Sequence, residues 1–480
     1  MELDSSQEHA FKLFKDSLKK GNPNKLIVFG TAGSGKTRLI IGMVQHMKDN
    51  GIQCVIGAPT GRAVLNLQGH PDFARSTPCM TLEMMKIHLA NNNRMALPPF
   101  AFERGLGGVL IIDEVGMMSA SYFDTIVYQR LGNRLNVKVI LCGDLEQLPC
   151  PKGIPWYEHE IFKEELREGS VQHVELTGNH RNGSCEELNE VLKSFKTNEI
   201  TQRAKNILDA IGRRPLPSHV SIYIAQTHDG LRAFNERQTR RVKEMWPPEK
   251  PVRSVVLVPE RYHDRGWTMK VVPTVFCSLR NQYIEGTRVL ITKNIKVDGN
   301  IIACNGDFGI VTQLLCPVDN DGNALFTRKN PEAVRVRLDR TLEEIDIHAF
   351  QKELEKKTDK KPAKKQWMVY FVLGYAGTIH SAQGQTIDPP NLVAIKLPAS
   401  PDALFVAITR VRKISQLRFD GYDDNPDNLK KMFCMPQKTP AKRAFLNELK
   451  KCPQRTQSYS ETHRVEEIKS RKRKLQALGF

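Results

Sequence analysis

Residues 26–37 read LIVFGTAGSGKT, and the fold turns on how this stretch is read. Leu26–Phe29 form an apolar run that predicts a buried strand. Glycines then recur at 30, 33 and 35, followed by Lys36, Thr37 and the helical stretch RLIIGMVQHMK. Glycine is costly in regular structure and favoured where backbone bends sharply or approaches a partner closely. Strand, GxxxxGK[ST] and helix together make a phosphate-binding loop. Backbone N–H groups of Gly30, Thr31, Ala32, Gly33, Ser34 and Gly35 would cradle phosphate oxygens, aided by the positive end of the helix dipole. Lys36 would reach the β- and γ-phosphates and Thr37 would ligate magnesium, so ATP with Mg2+ is the expected cofactor pair.

Such a loop needs an acidic strand end nearby. VLIIDE (109–114) supplies it, with Asp113 suited to magnesium and Glu114 to orienting and deprotonating water. VKVILCGDLEQLP (137–149) predicts a further buried strand, and Gln147 beyond it is placed to sense the γ-phosphate.

In this order the segments resemble the motifs of superfamily 1 helicases. IGAPTGRA (56–63) is similar to motif Ia, IIDEVGMMS (111–119) to motif II and LCGDLEQLP (141–149) to motif III. ELTGNHRNG (175–183), YAGTIHSAQGQT (375–386) and FVAITRVRK (405–413) resemble motifs IV, V and VI. The wording of motif V is nearest to the PIF-type, RecD-like and Dda-like 1B branch. That resemblance implies two RecA-like α/β domains, with parallel sheets flanked by helices, and movement 5′ to 3′ on DNA. It also implies that Gln7 reads the adenine edge and that Gln383 and Gly384 meet the γ-phosphate. Arg181 and Arg410 would stabilise transition-state charge, arriving when the second domain closes.

Single-strand contacts are expected from Pro59, Thr60, Gly61 and Thr81 in the first half and from Thr378, His380 and Ser381 in motif V. Each hydroxyl also suits a helix cap or turn. Between motifs Ia and II, an irregular Asn-, Pro- and Gly-containing stretch carries Phe100 and Phe102. The resemblance implies a duplex-splitting wedge there; a plug for the local core is the alternative.

The expected organisation is a first ATPase domain over 1–170 with a wedge subdomain near 78–106. A second domain would take 171–279 and 369–425, with a β-barrel insertion over 280–368 and a basic C-terminal extension over 426–480. WMVYFVLGYAGTIH is expected to return from the insertion as one long strand.

Bulk properties agree with a nucleic-acid partner. The 480 residues carry a formal net charge of +18, which favours a polyanion. Ten cysteines without CxxC pairs argue against a zinc module or disulfide framework, and suggest a reducing, intracellular setting, nuclear or viral-host. No apolar run approaches a membrane span. The expectation is an ATP-dependent helicase on single-stranded DNA and single-strand/duplex junctions, monomeric or weakly self-associating. An RNA helicase, a translocase without strand separation and a catalytically inert scaffold are the alternatives.

Overall fold

The computed structural model describes residues 3–19, 23–74, 76–90, 108–130, 137–145, 150, 153–181, 183–216, 222–226, 229–244, 254–256, 282–297, 300–315, 333–348, 350–355, 364–368, 370–382, 386–434 and 440–451. The chain divides into two compact units, Met1–Glu199 with Phe433–Phe480, and Ile200–Met432.

Unit 1 is built on six strands: β1 (Lys25–Gly30), β2 (Gln53–Ala58), β3 (Cys79–Thr81), β4 (Gly108–Ile112), β5 (Val137–Gly143) and β6 (Val171–Leu176). They lie in the order β3-β2-β4-β5-β1-β6, and every neighbouring pair is parallel. A parallel sheet covered on both faces requires strands apolar on both sides, and β1, β4 and β5 show it. Leu26, Val28, Val109, Ile111, Ile140 and Cys142 enter one core. Ile27, Leu110, Ile112, Val139 and Leu141 enter the other. Helices α1 (Ser5–Ser17) and α2 (Lys36–Asp49) cover the first face through Phe14, Leu39, Ile40, Met43 and Met47. Each such side chain contributes about 1.5 to 3 kcal/mol on burial. At the start of β1, Lys25 is buried yet paired with Glu165 at 2.8 Å, and the Tyr128 hydroxyl donates to the same carboxylate at 2.9 Å. A buried lysine needs such partners.

Two expectations are corrected here. The segment from 171, expected to open the second domain, supplies the sixth strand of the first sheet, with Lys25 opposite Val171 and Gly30 opposite Leu176. VQHVEL is polar enough for an edge strand, and nothing local in it selects one sheet over another. The C-terminal extension also contributes to unit 1: in the helix Pro440–Lys451, Phe445 and Leu449 complete the second core beside Trp156 and Tyr157.

Unit 2 holds a four-stranded parallel sheet in the order Ala376–Thr378, Ile222–Ala225, Val393–Lys396, Leu417–Asp420. An antiparallel sheet is formed by four strands of the insertion and one just after it, in the order Glu344–His348, Ala333–Leu338, Phe308–Leu315, Arg288–Ile291, Phe371–Leu373. Among the described residues its two outer strands do not pair, so the expected barrel closure is not seen. Nor is 371–378 one long strand. It breaks at Gly374, where a Cβ would come within 2.2 Å of the Val289 carbonyl carbon, and the two halves join different sheets. Asn235 bridges the break, donating to the Leu373 carbonyl at 3.3 Å and accepting from the Ala376 N–H at 2.8 Å. No helix among the described residues is long and apolar enough to cross a membrane.

Candidate nucleotide site

The loop from Gly30 to Gly35 joins β1 to α2 at the carboxyl edge of the first sheet. Gly33 and Gly35 have φ of +88° and +85°, and Gly35 is the N-cap of α2. That left-handed turn opens the helix at Lys36, so its first N–H groups face the loop. Lys36 Nζ donates to the carbonyls of Gly30 at 2.8 Å and Thr31 at 3.0 Å. Ser34 is wholly buried, and among the described residues its Oγ has no hydrogen-bond partner. A phosphate oxygen would satisfy it, and such an orphan is expensive without one.

Asp113 follows β4. Its carboxylate accepts the Glu114 N–H at 2.9 Å. Burial, then the neighbouring Glu114 charge, push the Asp113 carboxyl up to about 7, against the pull of the Glu114 N–H and of Lys36. A divalent cation alongside would restore its ionised form. Thr37 and Asp113 offer hard oxygen donors, and no cluster of three His, Cys, Asp or Glu ligands occurs among the described residues. Two protein oxygens, with the rest from water and phosphate, suit magnesium. Glu114 has φ 51° and ψ 40°, a left-handed conformation that costs a non-glycine residue about 1 to 2 kcal/mol. Strain of this kind concentrates at functional positions.

Arg181 sits in unit 1, not in the second domain as expected. The turn after β6 packs on the phosphate loop: a Cβ on Gly33 would come within 2.7 Å of Arg181 Cβ, and His180 N–H donates to the Gly33 carbonyl at 2.7 Å. Because β6 lies beside β1, Arg181 belongs to the same unit as the loop it approaches. Gln7 is buried, with both ends of its amide engaged: Oε1 accepts from Asp4 N–H at 2.9 Å and Nε2 donates to the Gly35 carbonyl at 3.2 Å.

Two solved structures share this architecture. A Pif1 helicase from Bacteroides, in complex with ADP-AlF3 and single-stranded DNA, superposes with a TM-score of 0.61 at 22% identity, over 94% of this chain and 98% of that one. A Pif1 helicase from Candida albicans gives 0.62 at 17% identity, over 94% and 100%. The fold is that of the Pif1-type helicases. In sequence, a family model described as an AAA domain matches residues 2–213. ATP-dependent DNA helicase PIF5 of Trypanosoma brucei brucei is 33% identical over 156 residues, which is 31% of this chain. The match takes in 16% of that relative's length. The solved structures thus speak to the fold, while each sequence match covers less than half of this chain.

The other expected residues fall as follows. Pro59, Thr60 and Gly61 lie at the end of β2, where Thr60 Oγ1 caps the next helix by accepting the Ala63 N–H at 3.2 Å. Thr81 lies opposite Ala58 across the sheet and accepts the Met84 N–H at 3.3 Å. Both hydroxyls thus serve as helix caps, and each retains an O–H able to donate. Thr378 ends its strand beside Ala225. His380 and Ser381 fall in the helix Ile379–Ala382, their side chains outside the described residues. Phe100, Phe102, Gln147, Gln383 and Gly384 lie outside the described residues. Arg410 is buried in unit 2, where it donates to the Val406 carbonyl and the Thr409 hydroxyl, both at 2.9 Å. Sequence reasoning missed Asp4 and His180, which pair at 2.7 Å beside the loop. Asp4-x-x-Gln7 is a capping-box pattern that marks the helix start; nothing local points to His180.

Proposed function

We propose that this chain is an ATP-dependent DNA helicase that moves 5′ to 3′ on single-stranded DNA and separates duplex strands. The observation that carries the reading is one glycine loop that holds Lys36 and receives the Arg181 turn, with the buried Asp113 carboxyl close enough to feel the Lys36 charge, within a Pif1-type fold. Lys36 exchanges its loop carbonyls for phosphate oxygens, and the guanidinium of Arg181 meets the charge that gathers on the γ-phosphate in the transition state. Glu114 orients the attacking water and takes its proton. Thr37 and Asp113 would hold Mg2+, which neutralises phosphate charge when bound. The net charge of +18 supports a polyanionic track.

Strand separation on 5′-tailed and 3′-tailed duplexes tests activity and polarity together. ATP-dependent unwinding of the 5′-tailed substrate alone is expected. Equal unwinding of both, or none, overturns the proposal. Stimulation of phosphate release by oligo-dT but not oligo-U is the companion result; the reverse would make RNA the track.

A further inference from the structure

A hydrogen-bonded bridge runs from the head of α1, over the phosphate loop, to the turn that carries Arg181. Asp4 Oδ1 accepts the Gln7 N–H at 2.9 Å and the Ser6 hydroxyl at 2.6 Å. Its Oδ2 pairs with His180 Nε2 at 2.7 Å. His180 in turn donates its backbone N–H to Gly33, and the Thr177 N–H donates to Ser6 Oγ at 3.3 Å. The fit leaves no slack: a Cβ on Gly178 would lie 2.5 Å from Asp4 Oδ2. Burial raises the Asp4 carboxyl, but the Ser6 hydroxyl, the Gln7 N–H and His180 together hold it below the usual range.

Two roles for this pair are weak. Capping α1 uses Oδ1 alone, and the pair with His180 is too exposed to contribute much stability, at 27% and 49% side-chain exposure. What the Oδ2 contact does fix is the residue next to Arg181. We propose that Asp4 and His180 are positioning residues that lock the 177–181 turn onto the phosphate loop and so hold Arg181 in working geometry. The inference rests on the reading of this site as one for ATP hydrolysis. Misplacing a transition-state cation by even an ångström is costly to rate while leaving substrate binding nearly intact.

Three variants test it. His180→Ala removes the bridge, Asp4→Ser keeps a capping oxygen but is too short to reach His180, and His180→Gln retains an N–H donor. The first two are expected to lower kcat for phosphate release about tenfold with the KM for ATP within about threefold. Amide hydrogen exchange over 177–181 should rise in both while the melting temperature stays near that of the wild type. The double variant should be no worse than either single one, and His180→Gln should recover most of kcat. Full kcat in His180→Ala or Asp4→Ser, a loss carried by KM, or unchanged exchange over 177–181 overturns the proposal. Should the wild-type protein release no phosphate, the ATPase reading fails, and the exchange measurement still decides the bridge.

Discussion

Lys36 and Gly35 show how much depends on single positions. Lys36 is held by two loop carbonyls, and in the proposed function it is these that phosphate oxygens would replace. Lys36→Ala should cut nucleic-acid-stimulated phosphate release by about a hundredfold or more, with an unchanged far-UV circular dichroism spectrum. Unaltered release would place the chemistry elsewhere. Gly35 is constrained twice, by its φ of +85° and by Gln7 Nε2, which a Cβ would meet at 2.0 Å. Gly35→Ala should cost about 1 to 3 kcal/mol and weaken nucleotide affinity, read by thermal melting with and without ATP. The glycines and lysine of this loop were legible in the sequence because their chemistry is local. The double engagement of Gln7 was not, because the Gly35 carbonyl it bonds lies 28 positions away in sequence.

At the scale of elements, two polar side chains, Gln416 buried and His159 partly buried, set local stability. Gln416 holds the loop after helix Pro401–Ile408 with all of its amide: Oε1 accepts from Arg412 and Lys413 at 3.0 and 2.9 Å, and Nε2 donates to the Ile387 and Asn391 carbonyls, both at 3.0 Å. Gln416→Ala should reduce hydrogen-exchange protection over 408–416 by roughly thirtyfold, equivalent to about 2 kcal/mol. In unit 1, His159 stacks on Tyr128 with ring centroids 4.8 Å apart. Burial lowers its pKa despite the upward pull of Asp124. The unfolded chain therefore takes up a proton near the ordinary value of about 6.5 that folded His159 accepts only at lower pH. Stability is full above that value and falls as the pH drops through it. Asp113, its carboxyl pushed up to about 7, acts in the opposite sense over the same range, and His173, lowered by burial, acts in the same sense as His159. The test is therefore a difference: going from pH 7.5 to 5.5 should change the melting temperature less favourably in the wild type than in His159→Gln. Apolar runs located strands such as β1, β4 and β5 in the sequence; such polar pairings were invisible to that reading.

For the whole molecule, the informative feature is that the chain enters unit 1 twice, over Met1–Glu199 and again from Phe433. Phe445 stacks on Tyr157 with centroids 4.9 Å apart and meets Trp156 edge-on at 5.7 Å. Arg167 pairs with Glu448 at 3.1 Å on the same contact. Phe445→Ala should destabilise unit 1 by about 3 to 5 kcal/mol, seen as a lower melting temperature. A chain ending at residue 434 should show the same loss. An unchanged melting temperature in both would mean that this helix adds nothing to the core. Its spacing of Phe445, Leu446 and Leu449 was available in the sequence, but nothing there named the surface it covers.

The phosphate loop, the acidic end of β4 and the α/β class could be read from residue order, because a turn, a strand end and a helix start are made by neighbours in the chain. Three outcomes could not: the sheet that β6 joins, the unit that carries Arg181, and the face that receives the C-terminal helix. Each depends on pairing between segments far apart in sequence. Backbone hydrogen bonds and apolar surface are much alike from one strand or helix to the next, so packing of the complete chain selects among partners that local sequence leaves equivalent.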